Sequence, residues 1–320
     1  MRISLFMPTL NGATHLPQVL AALGEQDLGE VERVAVDSGS TDATPHLLEE
    51  HGFRIHRIER SRFDHGATRD LGISLTAGEI VVLLVQDALP ARPDFLRRLT
   101  EPFAGNPKLA GVYGRQRPRP GANPVLARRL ENWNAGRGEP RLQALESPRE
   151  FDALTPLERL ERCAFDNVAS AVRRTAWEQF PFGRRPFGED VAWGKAVILG
   201  GWQLLFQPAA EVIHSHDRSP RAEFKRLYCD HHNLKELFDL TLIPTLGQAR
   251  RARINQGAVY RRILAELDLP PAQRRKWEHW AHRYAFWEAL GVWLGARSRE
   301  WRERRRPWFA LLDRLIRRGI

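Results

Sequence analysis

The chain has 320 residues, of which 42% are apolar and 28% charged, and this composition excludes the disordered, collagen-like and disulfide-scaffold classes. Its net charge is +10, and residues 221–320 carry the whole excess of basic over acidic side chains. The longest apolar run, residues 80–85, is far shorter than the roughly 20 residues that span a bilayer. With two cysteines and no signal-peptide core, the sequence predicts a cytoplasmic protein.

The first 85 residues alternate short β-branched runs with helical patterns. An order of βαβαβαβ, in which the strands are apolar on both faces, predicts a parallel sheet covered by helices on both sides. Ligands of such sheets bind beyond the carboxyl ends of the strands. The predicted strands are 3–7, 31–36, 53–58 and 79–85, and the predicted helices are 16–23, 44–51 and 67–77.

The rest of the chain is less regular. Residues 114–151 are rich in Pro, Gly and Arg, which predicts loops around one short helix. From residue 220 the pattern is helical to the end, so we predict an α/β domain over 1–220 and a basic helical region over 221–320. The other predicted elements are a helix at 125–133, a strand at 165–172, a helix at 191–199, and strands at 203–206 and 210–214.

Short polar side chains follow the first, second and fourth predicted strands. Turns and helix N-caps of this kind present free backbone N–H groups, which suit a nucleotide or its phosphates. Each cluster alone would equally well cap a helix, but three clusters at one edge of a sheet favour a ligand site. The side chains are Thr9 and Asn11, then Asp37 and Ser38, then Gln86 and Asp87.

Two further patterns carry acid–base or metal-binding side chains. Asp87 directly follows a buried strand, where a carboxylate is costly unless a cation or a helix N-terminus pairs with it. His214 and His216 follow a later strand and either complete a metal site with Asp87 or lie in a surface loop. Glu189 and Asp190 open a helix, so one of them is a candidate general base, although a capping pair has the same pattern.

The basic last third of the chain also holds six of the ten tryptophans. An aromatic stripe at helical spacing favours packing, either in a core or in a homodimer interface. Basic helices with tryptophans are also typical of proteins that bind the headgroups of an anionic bilayer. The stripe consists of Trp277, Trp280, Tyr284, Trp287 and Leu294.

Taken in order, these motifs resemble the family 2 inverting glycosyltransferases, and especially their rhamnosyltransferase-like branch. The resemblance spans residues 3 to about 216 and implies the GT-A fold. That fold has a Rossmann-like, mixed but mainly parallel sheet flanked by helices, here with a C-terminal helical extension. The matching stretches are Pro8-Thr-Leu-Asn11, Val36-Asp-Ser-Gly-Ser-Thr-Asp42, His65-Gly-Ala-Thr-Arg69, Gln86-Asp-Ala88, Gly188-Glu-Asp-Val-Ala-Trp193 and His214-Ser-His216.

The resemblance implies that residues 1–220 bind a nucleotide-sugar donor, a dTDP- or UDP-sugar. Asp37 would read the imide edge of uracil or thymine, and Asp87 would hold Mg²⁺ or Mn²⁺ together with His214 or His216. Gln86 stands where the family motif has its first carboxylate. Either one carboxylate suffices here, or the metal affinity is low. The remaining implied donor contacts are Thr9, Asn11, Ser38, His65, Arg69 and Gln86.

The resemblance also implies the reaction. Asp190 would act as the catalytic base, with Glu189 as the next candidate, and Trp193 would lie on the acceptor side. The absence of a Gln-x-x-Arg-Trp motif indicates a non-processive enzyme. It would move one sugar, favoured to be rhamnose from dTDP-rhamnose, to a saccharide or lipid-linked saccharide during cell-surface polysaccharide synthesis.

Four other functions have to be weighed against this one. A sugar-phosphate nucleotidyltransferase would need a Gly-rich N-terminal loop with a lysine, and residues 5–12 have one glycine and no lysine. A nucleic-acid partner is not expected, because no nucleic-acid-binding motif accompanies the basic tail. The open alternatives are a catalytically dead GT-A scaffold, which Gln86 would explain, and a binding module acting through the basic tail. Peripheral association with the inner face of an anionic membrane is predicted in addition.

Overall fold

A computed structural model describes residues 1–133, 137–304 and 307–317 of the chain. Within these residues a single sheet contains nine strands. The strands are β1 Ile3–Thr9, β2 Glu32–Asp37, β3 Arg54–Arg57, β4 Ile80–Leu84, β5 Leu89–Pro90, β6 Leu109–Arg117, β7 Arg141–Gln143, β8 Ala169–Arg173 and β9 Gln203–Ile213.

The helices of the described segments fall between these strands and, beyond residue 220, follow one another without a strand. Those between the strands are α1 Leu16–Gly24, α2 Thr44–Glu50, α3 His65–Ser74, α4 Phe95–Thr100, α5 Pro102–Gly105, α6 Pro124–Asn132, α7 Pro148–Ala153, α8 Pro156–Cys163, α9 Arg174–Gln179 and α10 Glu189–Leu199. The later ones are α11 Pro220–Phe238, α12 Leu246–Ala265, α13 Pro271–Glu303 and α14 Pro307–Arg317.

The sheet is mixed, with its parallel part at the N-terminal end of the chain. The strand order is β3-β2-β1-β4-β8-β6-β9-β5, and β7 pairs with β9. Strands β1 to β4 are parallel, whereas β8 runs antiparallel to both β4 and β6. The register pairs Thr9 with Asp37. Parallel pairing therefore brings the ends of β1 and β2 together at one edge, as the strand-end clusters require.

The core of the sheet is apolar on both faces because helices cover both. All five residues of β4 are buried, and α1 turns Leu16, Val19, Leu20 and Leu23 toward the sheet. Helix α3 approaches β1 closely at Gly72, where an added Cβ would lie 2.1 Å from the Phe6 ring. The α/β architecture predicted from the run alternation is confirmed.

Two predictions in the second half of the sheet were wrong. We predicted two short strands at 203–206 and 210–214, but β9 is continuous from 203 to 213. A register shift lets it continue, because Gly114 pairs with Gln207 and the next residue, Arg115, pairs with Glu211. We also predicted loops from residue 114 onward, yet β6 extends to Arg117; residues 134–136 of that predicted loop segment lie outside the described residues.

The chain divides into two compact units. The first comprises residues 1–119, 130–154 and 161–215 and contains the sheet. The second comprises residues 120–129, 155–160 and 216–320. Across the described residues, every helix is too short or too polar to traverse the hydrocarbon layer of a bilayer.

The second unit has its own core, to which α13 contributes Tyr284 of the aromatic stripe, with Trp277 and Trp280 packed against it. Tyr284 is fully buried, and Trp280 stacks on it at 4.6 Å between ring centroids. Trp287 packs against Phe224 of α11 at 5.1 Å. Beside this core, the half-buried Arg129 forms an ion pair with the carboxylate of Glu288. The predicted stripe therefore packs inside this unit.

Candidate functional site

The ends of β1 and β2 are joined through the Asp37 carboxylate. Its Oδ1 accepts hydrogen bonds from the backbone N–H groups of Gly39 and Ser40, at 3.1 and 2.9 Å. Its Oδ2 accepts from the hydroxyls of Ser40 and Thr9, at 2.5 and 3.2 Å. Asp37 is almost wholly buried, and these four donors hold the loop after β2 in one conformation.

Asn11 turns the chain after β1. Its backbone lies in the left-handed region with a φ of 46°, which asparagine tolerates better than most residues. The Asn11 N–H donates to the Ser40 hydroxyl at 2.8 Å, and its side-chain oxygen accepts from the Thr41 N–H at 2.9 Å. The two polar clusters predicted at these strand ends therefore form one hydrogen-bonded unit.

The Gln86 side chain is held by the main chain of the first cluster. Its Oε1 accepts from the N–H of Leu10, and its Nε2 donates to the carbonyl of the same residue, both at 2.9 Å. A carboxylate could accept at this position but not donate. The amide therefore ties the end of β4 to the turn after β1, which gives Gln86 a structural task where the family motif has a carboxylate.

Ser38 is the one member of these clusters with an unsatisfied group. It is 1% exposed, and its hydroxyl oxygen is buried with no hydrogen-bond partner in the described structure. A buried hydroxyl without a partner costs free energy. A bound ligand that supplied a donor or acceptor would remove that cost.

Asp87, His214 and His216 come together as the metal prediction required. Each offers one ligand atom, and these atoms lie within 4.8 Å of one another. His214 Nε2 is 3.5 Å from a carboxylate oxygen of Asp87, and both residues are largely buried, whereas His216 is exposed. The Asp87 carboxylate, joined by the phosphate oxygens of a donor, supplies the oxygen ligands that Mg²⁺ and Mn²⁺ prefer, and the two imidazoles favour Mn²⁺ over Mg²⁺. The residues present therefore fit the implied ion.

A hydrogen-bonded chain behind His214 fixes which ring nitrogen faces Asp87. The Nε2 amide of buried Gln116 donates to the Asp166 carboxylate, which can only accept. The Gln116 Oε1 must then accept from His214 Nδ1, at 2.8 Å. His214 therefore donates through Nδ1–H, which leaves Nε2 as the ring nitrogen directed at Asp87 and the metal position.

The two acids at the start of α10 have different surroundings. Glu189 is 5% exposed, and Arg69 of α3 lies 3.0 Å from its carboxylate in a buried ion pair. Asn167 donates to the same carboxylate oxygen at 3.3 Å. Burial opposes ionisation, but the charges of Arg69 and His65 outweigh it and lower the pKa of Glu189. Glu189 is therefore a fixed anion.

Asp190 is the contrasting member of the pair. Burial, the adjacent Glu189 charge and the Asp166 charge raise its pKa well above the ordinary aspartate value. Its carboxylate accepts a hydrogen bond from the Val191 N–H at 2.8 Å. A carboxylate with a raised pKa holds a proton more strongly, which is the property of a general base near neutral pH.

Two predicted residues lie in unexpected surroundings. Trp193, predicted on the acceptor side, is 1% exposed, stacks on Phe182 at 5.2 Å, and donates its indole N–H to the Phe180 carbonyl at 2.7 Å. Its position in the structure is that of a core indole. Arg69, predicted against the nucleotide or diphosphate, is instead engaged with Glu189.

Sequence reasoning did not find Gln116, Asp166 and Asn167. Gln116 lies in a run of Arg, Gly and Pro that predicts a loop, and Asp166 and Asn167 precede β8 without a motif. The available signal was that a buried metal-ligating histidine needs an acceptor for its second nitrogen. That rule names no position in the sequence.

The chain is similar to known proteins of one family. The glycosyl transferase family 2 model matches residues 4–159. The O-antigen chain rhamnosyltransferase RfbN of Salmonella typhimurium (strain LT2) is 31% identical over 233 residues, which is 71% of each chain. The O-antigen chain rhamnosyltransferase WbaN of Salmonella anatum is 29% identical over 230 residues, which is 70% of each chain.

Solved structures show the same fold at low identity. TarS residues 1–349 of S. aureus in complex with UDP gives a TM-score of 0.51 at 17% identity, covering 93% of this chain and 91% of that one. Glucosyl-3-phosphoglycerate synthase of Mycobacterium tuberculosis in complex with Mn²⁺, UDP and glucosyl-3-phosphoglycerate gives 0.51 at 19% identity, covering 77% and 82%. With this fold and its relationship to RfbN, the chain belongs to glycosyltransferase family 2.

Proposed function

We propose that the enzyme is an inverting, non-processive transferase that moves rhamnose from dTDP-rhamnose to a saccharide or lipid-linked saccharide during synthesis of a cell-surface polysaccharide. The observation that carries the reaction is the environment of Asp190, a carboxylate with a raised pKa beside the fixed Arg69–Glu189 ion pair. The sugar and the polysaccharide are inferred from the relatives, which are named as O-antigen chain rhamnosyltransferases.

In this proposal Asp190 takes the proton of an acceptor hydroxyl as the hydroxyl oxygen attacks the anomeric carbon of the donor. The bond to the nucleoside diphosphate breaks in the same displacement, so the configuration inverts and no covalent enzyme intermediate forms. Glu189 does not compete for the proton, because Arg69 keeps it ionised. Its charge raises the proton affinity of Asp190, so the two acids have separate roles.

The donor would lie along the ends of β1, β2 and β4. The unsatisfied Ser38 hydroxyl supports this position, since a nucleotide atom could pair with it. Asp37 would accept from a pyrimidine imide N–H, which would compete with its present donors, while Thr9 and Asn11 shape the same loop. His65, which lies near the buried ion pair, remains a proposed diphosphate contact.

Asp87, His214 and His216 would hold a divalent cation, Mg²⁺ or Mn²⁺, on the diphosphate side of the donor. Such an ion would offset the negative charge that develops on the departing nucleoside diphosphate. Gln86 contributes no charge, because its amide is used by the main chain of Leu10. Asp87 is thus the only carboxylate of the proposed ligand set.

The proposal is tested by thermal stabilisation with UDP, dTDP, GDP and ADP, each with and without Mg²⁺ or Mn²⁺. A ligand at 100 times its dissociation constant adds about 2.7 kcal/mol to the free energy of unfolding. We expect dTDP to stabilise the protein only with metal, and Asp87→Asn to lose most of this metal-dependent shift. Absence of a shift with every nucleotide would contradict the proposal and favour a catalytically dead scaffold.

Gln116 provides a second test, directed at the metal site. Gln116→Leu removes the acceptor of His214 Nδ1–H, so the ring loses its fixed tautomer and orientation. Loss of such a supporting partner usually lowers metal affinity by about 10–100-fold. We expect a loss in that range for Mn²⁺, measured by electron paramagnetic resonance of the free ion in titrations of the protein with dTDP present.

Gln143 is the matched control for this substitution. It is a buried glutamine of the same sheet, accepts from the Tyr113 hydroxyl at 3.0 Å, and donates to backbone carbonyls far from His214 in the chain. Gln143→Leu should destabilise the protein without changing its affinity for Mn²⁺. Equal affinities in the two variants would refute the assignment of Gln116.

We further propose that the enzyme works at the inner face of the cytoplasmic membrane, bound peripherally. The basic charge of residues 221–320 supports this location. The aromatic stripe does not supply the contact, because it packs within the second unit. A homodimer remains a prediction, to be checked by light scattering of the purified protein.

A further inference from the structure

Helix α12 has an unbalanced charge. It carries five arginines and no acidic residue over its twenty positions. Arg250, Arg253, Gly257 and Arg261 are three or four residues apart in turn, so they lie on one face of the helix. This face and α13 border a groove with a volume of about 410 Å³. Small-ligand sites span about 300–1,000 Å³, so the groove is large enough for a headgroup.

Small residues keep the groove open. A Cβ added to Gly257 would lie 3.7 Å from a guanidinium nitrogen of Arg261 and 4.0 Å from the Cβ of Ala285 on α13. Gly257 and Ala285 therefore leave a space that larger side chains would fill. His282, one turn from Ala285, adds a ring that can donate to a ligand on the α13 side.

In the described structure, the three arginines that line the groove have no carboxylate partner, unlike Arg129 and Arg262 of the same unit. Among the described residues, no carboxylate forms an ion pair with Arg250, Arg253 or Arg261. By contrast, the half-buried Arg129 is paired with Glu288, and Arg262, on the same helix as the groove arginines, lies 3.2 Å from Glu266. Three neighbouring guanidinium groups without counter-charges attract an anion, and their planar donors match phosphate oxygens.

Large apolar side chains lie beside these charges. Ile254, which also lines the groove, is 68% exposed, and Phe286 of α13 is 42% exposed. The Arg253 guanidinium lies 5.5 Å from the centre of the Phe286 ring. Cations with exposed apolar groups next to them complement an amphiphile, whose phosphate is followed by hydrocarbon. A nucleic acid would match the charges but not Ile254.

We infer that the α12–α13 groove binds the phosphate headgroup of an anionic membrane lipid. Arg250, Arg253 and Arg261 hold the phosphate, and Ile254 and Phe286 contact the glycerol and the upper acyl chain. The groove would be the place where the enzyme contacts the membrane, so this inference rests on the proposed function only in assuming that the enzyme binds a membrane. Binding here needs neither donor nor metal, so it can fail while sugar transfer to a soluble acceptor persists.

The test is flotation of the full chain with phosphatidylcholine vesicles that contain phosphatidylglycerol. The variant R250Q/R253Q/R261Q removes the three groove charges. Because a basic residue near an anionic surface contributes about 1 kcal/mol, we expect the variant to bind about a hundredfold more weakly. Its melting temperature should stay close to that of the wild type, because these exposed side chains have no carboxylate partner within the described part of the chain and Arg253 loses only an exposed contact with the Phe286 ring.

The matched control is R251Q/R275Q/R283Q. It removes the same charge from exposed arginines of α12 and α13 that do not line the groove. We expect the control to keep most of the vesicle binding. Equal losses in the two triple variants would overturn the inference, since binding would then follow net charge alone. Undiminished binding by the groove variant would overturn it as well.

Two further measurements identify the source of the phosphate. Ile254→Ser should weaken binding to vesicles but leave the weak binding of inorganic pyrophosphate unchanged. If pyrophosphate or a short DNA duplex displaces the protein from vesicles at concentrations near those of the lipid phosphate, the groove is a site for a soluble anion or for nucleic acid, and the lipid inference is wrong.

Discussion

Replacing Asp190 with asparagine is expected to lower the rate of sugar transfer by about 10²–10⁴-fold, the range that a general base contributes. Asparagine preserves the size of the side chain and its place at the start of α10 but cannot take the proton. The stability of the folded protein, by contrast, should increase. A carboxyl group with a raised pKa in the folded state destabilises that state when it is ionised, so the variant should melt at a higher temperature near neutral pH.

Loss of activity with gain of stability distinguishes a lost base from a misfolded enzyme. Nucleotide binding should be retained, which the dTDP melting shift measures. In the wild type, transfer should fall as pH decreases through a value above the ordinary aspartate range, because only ionised Asp190 accepts the proton. Unchanged turnover in Asp190→Asn would transfer the role to Glu189.

The second large effect is expected at the buried ion pair. Arg69→Met removes the cation 3.0 Å from Glu189 and leaves that carboxylate buried without it. Breaking such a pair from one side costs about 3–5 kcal/mol. We expect a loss of this size in the free energy of unfolding, measured by denaturant titration at neutral pH.

The stability lost in Arg69→Met should depend on pH. The lowered pKa of Glu189 contributes stability above the ordinary glutamate range, and this contribution is lost as pH falls through the folded-state value. The difference between Arg69→Met and the wild type should therefore shrink in acid. The double variant R69M/E189M should recover most of the stability, because no buried charge is then unpaired.

Arg262→Met is the control for an exposed pair. Arg262 is 84% exposed and lies 3.2 Å from Glu266, and exposed pairs contribute about 0.2–1 kcal/mol. A deficit of similar size in Arg69→Met would show that the Arg69–Glu189 pair contributes no more than a surface ion pair.

The sequence was sufficient where local pattern and burial agree. The apolar runs of β1, β2 and β4, with helices between them, predicted the parallel half of the sheet, and the register that pairs Thr9 with Asp37 follows from it. Strand β6 was not predictable in the same way. Its last four residues, 114–117, lie in the Pro-, Gly- and Arg-rich stretch that predicts loops, and they extend the strand because β9 pairs with them from a distant part of the chain.

In the candidate site, too, the sequence predicted what depends on local pattern and not what depends on tertiary packing. The sequence placed Glu189 and Asp190 together at a helix start, but it could not say which of them would meet Arg69. That choice depends on how α3 and α10 pack, and it decides which acid has the lowered pKa. Gln116 was missed for a related reason, since its partners His214 and Asp166 are 98 and 50 residues away in the chain.

The hydrogen bonds between the Gln86 amide and the main chain of Leu10 also make position 86 depend on position 12. A Cβ on residue 12 would lie 2.5 Å from the Gln86 side-chain oxygen, so Gly12 leaves the room that the amide occupies. A bulkier residue 12 would displace the amide from Leu10 and loosen the end of β4 just before Asp87. Positions 12 and 86 should therefore change together during evolution, with glycine required at the first wherever glutamine fills the second.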